Sequence, residues 1–245
     1  MIPKSPGFQW LYSLTNHEKR IPDKYSSTAF STDRYIQLLK SLGNPHHNNI
    51  PTIQILGTDG KGSTLAFLEE ILIQSGKRVC SFISPHLINT EERCRLQGES
   101  IPTQELESLL LEVRNKAQIL DGITFFEVLN TVFWLWVRKE QPDFVLLETG
   151  LGGRLDTTTI CQPTLKILTR LDRDHIRLLG KTMNSIAHEK LAALVPDCLV
   201  IITPQSKFLR PMITNYLRQH HIPALWVDDL YHPHILQRHS DFWTL

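Results

Sequence analysis

Short apolar runs alternate along this chain with longer stretches whose apolar residues recur every three or four positions. The short runs are Thr52–Leu56, Val79–Ile83, Phe144–Leu147, Leu165–Leu168, Leu199–Ile202 and Ala224–Val227. Runs this brief, apolar at successive positions, predict strands buried on both faces. Helical spacing predicts the rest. Tyr35, Leu38, Leu39 and Leu42 form one stripe, stopped by Gly43-Asn44-Pro45, and Leu65, Leu68 and Leu72 lie in a helix over 63–75, closed by Gly76. Leu106, Leu109, Leu110 and Val113 form another stripe, and Phe126, Leu129, Phe133 and Trp136 a fourth; further helices are expected near 182–194 and 206–219. The alternation predicts an α/β fold, a mainly parallel sheet with helices on both faces. Such sheets bind ligands beyond the carboxyl ends of their strands.

Composition narrows the class. The 245 residues suffice for one large domain or a domain and a half. A net charge of +1 gives no reason to expect a nucleic-acid or anionic-membrane partner. Cys80, Cys94, Cys161 and Cys198 are widely spaced without a Cys-x-x-Cys, so reduced thiols and a cytoplasmic setting are expected. Pro3, Lys4, Pro6 and Gly7 interrupt the start, where a signal peptide would be apolar. Phe125–Val137 is the most apolar long stretch; Glu127, Asn130 and Thr131 break it, and it reads as a buried helix, not a membrane span.

The candidate chemistry sits at strand ends. Gly57-Thr58-Asp59-Gly60-Lys61-Gly62-Ser63-Thr64 joins the first predicted strand to a helix. Glycines let backbone N–H groups approach an anion, the helix N-terminus favours negative charge, and Lys61 adds a full positive one. The spacing is Gly-x-x-Gly-Lys-Gly-Ser, shorter than a Walker A loop. The competing reading is a glycine turn that binds no nucleotide.

Three more clusters follow strands. Ser84-Pro85-His86 offers a hydroxyl, held extended by the following proline, as a metal ligand or as a plain loop serine. Glu148 opens the segment Glu148–Asp156, rich in glycine. A carboxylate ending a buried strand needs a cation, and magnesium takes oxygen ligands. Arg154 can fork onto a carboxylate or phosphate, or pair structurally with an aspartate in a flexible loop. His175, in Asp172-Arg173-Asp174-His175, is a candidate ligand or an ordinary loop histidine. On the helix predicted near 182–194 Lys190 shares a stripe with Ala187, Leu191 and Leu194. A buried lysine has a lowered pKa and an accessible neutral amine; a snorkelling lysine is the alternative.

In order and spacing these segments resemble the folylpolyglutamate synthase/dihydrofolate synthase family, relatives of the Mur ligases. Leu14-Thr15-Asn16, Leu39–Pro45, the glycine loop, Ser84-Pro85-His86-Leu87 and Glu92–Gly98 carry the likeness. So do Thr124-Phe125-Phe126-Glu127, Glu148–Asp156, Asp174–Gly180 and Ile186–Lys190, so that it covers roughly residues 10–230. The resemblance implies a P-loop-like Mur ligase central domain and ATP-dependent joining of L-glutamate to dihydropteroate or a folate through an acyl phosphate, in folate biosynthesis. It assigns ATP to Gly57–Thr64, with Lys61 catalytic. It assigns magnesium to Ser84, Glu148 and His175, with His175 also catalytic. It makes Lys190 a carbamylated catalytic lysine, and it puts Thr124, Phe125, Phe126, Glu127 and Arg154 at the folate. Asp59 departs from the family's usual Asn, Leu191-Ala192-Ala193 from Ala-Gly-Ile, and Thr159 from Asn.

The family pattern also implies one ATP-binding domain over 1–245, with an amino-terminal segment 1–48 and an α/β core 49–230. The carboxyl-terminal glutamate-ligase domain is expected to be missing or supplied by a separate chain. Little ligation by the isolated chain is then expected. A non-catalytic nucleotide-binding remnant and a Mur-type peptidoglycan ligase are the alternatives; Ser84-Pro85-His86 and the Thr124–Glu127 segment favour folate over the second.

Overall fold

Each short apolar run forms a strand in the computed structural model, and the six strands lie parallel, side by side. The structure describes residues 5–19, 22, 25–26, 30, 32–118 and 120–230, and the backbone of 237–239 and 242–244. The chain begins with α1 (Pro6–Ser13) and α2 (Thr32–Ser41), followed by β1 (Thr52–Leu56), α3 (Lys61–Gln74) and β2 (Val79–Phe82). Next come β3 (Cys94–Leu96), β4 (Glu99–Ser100), α4 (Thr103–Ala117), α5 (Phe125–Glu140), β5 (Phe144–Glu148) and β6 (Leu165–Leu168). It continues through α6 (Ile176–Leu179), α7 (Met183–Leu191), β7 (Leu199–Ile202), α8 (Leu209–Gln219), β8 (Ala224–Trp226) and α9 (Val227–Leu230). Strands β9 (Gln237–His239) and β10 (Phe242–Thr244) form a separate antiparallel pair.

The sheet runs β4-β3-β2-β5-β1-β6-β7-β8. Central β1 has every residue buried. Its Ile53 and Ile55 share a cluster with Leu65 of α3, Leu146 and Ile167, whereas Leu56 joins Leu168, Leu191, Val200 and Ile213. Cover on both faces buries its polar Thr52 and Gln54 along with its apolar residues. Gln54 is the longer of these two polar side chains. Its Nε2 donates to the hydroxyls of Thr149, Thr158 and Thr159 at 3.2, 3.1 and 3.1 Å, tying β1 to the segment after β5. Helix α5 is buried as predicted, and Thr124 and Glu127 form a capping box at its start. Among the described residues no helix is long and apolar enough to cross a membrane.

Differences from the sequence expectations are local. Helix α3 starts two residues early, at Lys61, and α7 ends at Leu191, three residues before the predicted stop. The antiparallel edge β3–β4 is unpredicted: the strands have three and two residues. Their turn puts Gln97 and Gly98 both at positive φ, the two-residue hairpin geometry. Helix α1 also goes unpredicted, with Pro6 at its first position. Phe8, Leu11, Tyr35 and Leu38 of α1 and α2 enter the same core as Leu106, Val128 and Trp134. Helices α1 and α2 thus pack on the same core as Phe82, Val145 and Leu147 of the sheet.

Candidate active site

Strands β2, β5, β1 and β6 are parallel neighbours, so the loops leaving their carboxyl ends emerge together. These four loops carry the four polar clusters.

The loop after β1 is shaped by glycine. Gly57 has φ +142, and a Cβ there would lie 2.1 Å from Thr169 Oγ1. The amides of Thr58 and Asp59 both donate to the Arg170 carbonyl, at 2.9 and 3.1 Å. Gly60, at φ +82, caps α3 without a side-chain hydrogen bond, which leaves the first amides of a 14-residue helix for an anion. Lys61 donates from Nζ to the Thr58 carbonyl at 3.2 Å and reaches the cavity described below.

Glu148 stands beside this loop, 6% exposed. Burial raises its pKa; the charge of Lys61 and the amide of Ser84, 3.3 Å from Oε2, act the other way. The start of α3 lies against this carboxylate: a Cβ built on Gly62 would be in van der Waals contact with its two oxygens, at 3.7 and 3.8 Å. Lys190 is 4% exposed, and its Nζ donates to the Gly57 carbonyl at 2.7 Å. Burial first, and Lys61 second, lower its pKa to about 8. His175 caps α6 at φ +48, with its backbone amide donating to Asp174 Oδ1 at 2.7 Å. Burial lowers its pKa against the opposing charge of Asp174, which favours a neutral ring with a free lone pair.

Glu148, Ser84 and His175 offer two kinds of oxygen and one nitrogen. Among the described residues no three His, Cys, Asp or Glu side chains gather closely enough to hold a metal by themselves. A hard cation here would share its shell with phosphate oxygens and water, as magnesium does.

A cavity of about 390 Å³ adjoins the loop, within the usual range for small-molecule sites. Phe30, Phe126, Leu151, Leu155 and Leu178 supply apolar wall; Lys61, Ser84, Asp174 and His175 mark the loop end; Thr124, Glu127 and Asp156 supply other polar groups. Asp156 is 6% exposed. Its Oδ2 accepts from the Leu151 amide at 2.8 Å, and its Oδ1 from the amide and hydroxyl of Thr158 at 2.9 and 2.6 Å. Burial raises its pKa against these bonds.

No family model matches the chain. Curated relatives and solved structures do. A dihydrofolate synthase/folylpolyglutamate synthase of Bacillus subtilis is 35% identical over 176 residues, covering 69% of this chain and 40% of the relative. One from Haemophilus influenzae is 38% identical over 203 residues, covering 81% and 43%. A solved FPGS-AMPPCP-folate complex superposes with a TM-score of 0.80 at 26% identity, covering 90% of this chain and 53% of the solved one. The chain belongs to the dihydrofolate synthase/folylpolyglutamate synthase family. It spans about two fifths of the length of these curated relatives.

Two residues expected at the folate, Phe125 and Arg154, do not line this cavity. Phe125 is 1% exposed in the core, 5.9 Å from the Tyr12 ring and 5.3 Å from the Arg93 guanidinium. Successive helical residues diverge by about 100°, so Phe126 faces the cavity and Phe125 does not. Arg154 forks onto Glu189 at 2.9 and 3.1 Å, away from the cavity lining, and its partner is not Asp156. Thr159, where the family pattern has Asn, donates from its hydroxyl to the Gly153 carbonyl at 2.8 Å.

Sequence reasoning missed Asp156 as a cavity carboxylate, along with Asn16, His17, Glu18 and Phe30. It also missed Arg93, a fully buried guanidinium that binds both Glu18 oxygens at 2.9 and 2.5 Å and donates from Nε to His86 Nδ1 at 2.9 Å. Only tertiary packing turns a charged residue just before β3 inward. The one sequence signal was its place in Glu92–Gly98.

Proposed function

We propose that this chain provides the ATP- and pterin-binding part of an ADP-forming ligase that joins L-glutamate to dihydropteroate or a folate. The observation that supports this reading is the meeting of the Gly57–Thr64 loop with buried Glu148 and buried Lys190 beside one partly apolar cavity. The solved relative holds an ATP analogue and folate.

A carboxylate is a poor acyl donor, so the acceptor acid is first phosphorylated by ATP. The acid's oxygen attacks the γ-phosphorus as the bond to ADP breaks. Lys61 and the free amides of α3 hold the phosphates and offset charge during the transfer. The glutamate amine then attacks the acyl carbon, releasing phosphate and a proton. Magnesium would supply charge neutralisation at the phosphates, held by Glu148, Ser84 and His175. Lys190, neutral in part near pH 8, can add CO2 and lose a proton to become an anionic carbamate. Phe126 offers a ring face to the pterin, and Asp156 an acceptor to its N–H groups. In this reading residues 1–48 and 49–230 form one nucleotide-binding unit, and a cytoplasmic setting fits it.

Calorimetric titration of the chain with AMPPCP and magnesium, then with dihydropteroate, tests the reading. Binding of both is expected. No nucleotide binding would overturn it. ADP release that requires both dihydropteroate and glutamate separates a ligase from a nucleotide-binding protein that does not turn over.

A further inference from the structure

Tyr25 belongs to none of the sequence motifs and does not line the cavity, yet one loop wraps around its hydroxyl. The phenol oxygen accepts the amide of Leu155 at 3.1 Å and that of Gly153 at 3.4 Å, and donates to the Leu151 carbonyl at 3.3 Å. Gly152, between these groups, has φ +68, and a Cβ there would lie 2.5 Å from the same oxygen. Only a glycine lets the backbone close around the phenol.

The other side of the loop rests on α7. The Arg154 amide donates to the Glu189 carbonyl at 3.1 Å. A Cβ on Gly153 would lie 3.1 Å from Glu189 O, Lys190 Cα and Ala193 Cβ alike. The Arg154 guanidinium, forked onto Glu189, lies 5.9 Å over the Tyr25 ring. The loop is therefore held between a phenol and the helix that carries Lys190. Burial, helped by the charge of Asp156, raises the phenol's pKa and keeps it a donor.

The far side of this loop builds the cavity. Leu151, Leu155 and Asp156 line it, and Asp156 Oδ2 accepts from the Leu151 amide. Movement of Leu151 would move both the wall and the carboxylate. Tyr25 also packs its ring on Phe30, another wall residue, at 4.9 Å.

We propose that Tyr25 is a positioning residue whose hydroxyl clamps the 150–156 loop onto α7 and so fixes Asp156 for a pterin acid. The ligand part of this proposal rests on the function proposed above. Tyr25→Phe tests it, because the ring and its packing stay and only the oxygen goes. Amide hydrogen exchange by NMR should quicken at Gly153 and Leu155 while amides of β1 and α5 keep their protection. Calorimetry should show dihydropteroate binding roughly tenfold weaker, the scale of one lost hydrogen bond, with AMPPCP affinity unchanged. Unchanged exchange at Gly153 and Leu155 overturns the clamp. Faster exchange throughout, or an equal loss of AMPPCP affinity, overturns it too, because either shows a general effect on the fold. If the wild type binds no dihydropteroate, the proposed function fails, and the exchange result alone still decides the clamp.

Discussion

Lys190, on α7, donates from Nζ to the carbonyl of Gly57, the first residue of the phosphate loop, at 2.7 Å. One buried amine thereby ties together two segments 133 positions apart. The helix and the loop share no strand pairing, so this bond and the packing around it fix their relative placement.

The same burial sets a pH dependence. The pKa of Lys190 is lowered to about 8 in the folded chain, below the ordinary lysine value near 10.4. Between those values the unfolded chain binds more protons, so stability rises with pH across that window. Below about pH 8 both states carry the proton and the penalty is constant. Melting temperatures of wild type minus Lys190→Met should therefore increase from pH 8 to 10. A flat difference would show that Lys190 titrates normally.

Lys61→Ala should weaken ATP binding by about 1.5–3 kcal/mol, the scale of a charge-assisted hydrogen bond. Calorimetry on both proteins measures it, and equal affinity would discard the loop assignment.

Glu148→Gln should leave the ligand-free protein as stable or more stable at neutral pH. Burial favours the protonated acid over the carboxylate, so the folded state binds that proton more tightly than the unfolded one. This contribution is present below the unfolded pKa and lost as pH rises through the raised folded value; the amide never titrates. The stabilisation that magnesium and ATP give the wild type should shrink in the variant. Thermal melts with and without both ligands read the two effects separately.

Gly57→Ala should destabilise by roughly 1–3 kcal/mol, as a side chain forced into a disallowed backbone region does. Its Cβ would meet Thr169 Oγ1 at 2.1 Å and the Thr169 carbonyl oxygen at 2.9 Å. Urea unfolding measures the loss, and nucleotide affinity should fall with it because the loop must shift.

The adjacent phenylalanines should separate cleanly. Phe125→Ala removes a fully buried ring and should cost about 3–5 kcal/mol of stability. Phe126→Ala should cost less and weaken dihydropteroate binding more, since Phe126 faces the cavity. Paired unfolding and titration experiments compare the two; the opposite ranking would reverse the helix-face argument.

The sequence by itself determined the six parallel strands and the longer helices, because local periodicity decides them; α1 and the short β3–β4 edge carry too little of it. β1 is buried throughout, and a strand covered on both faces is mostly apolar, with any polar side chain needing partners as Gln54 has. The phosphate loop was legible for a similar reason: glycine, lysine and helix start lie within eight consecutive residues. Tertiary structure decided everything that depends on direction across the sheet. It turned Phe126 to the cavity and Phe125 to the core, gave Arg154 to Glu189, and buried the Arg93 guanidinium against Glu18. It also set Tyr25 against residues 151–155, more than a hundred positions away. Such pairings arise from side chains meeting across separate loops at one end of the sheet, and spacing along the chain carries no record of which loops will meet.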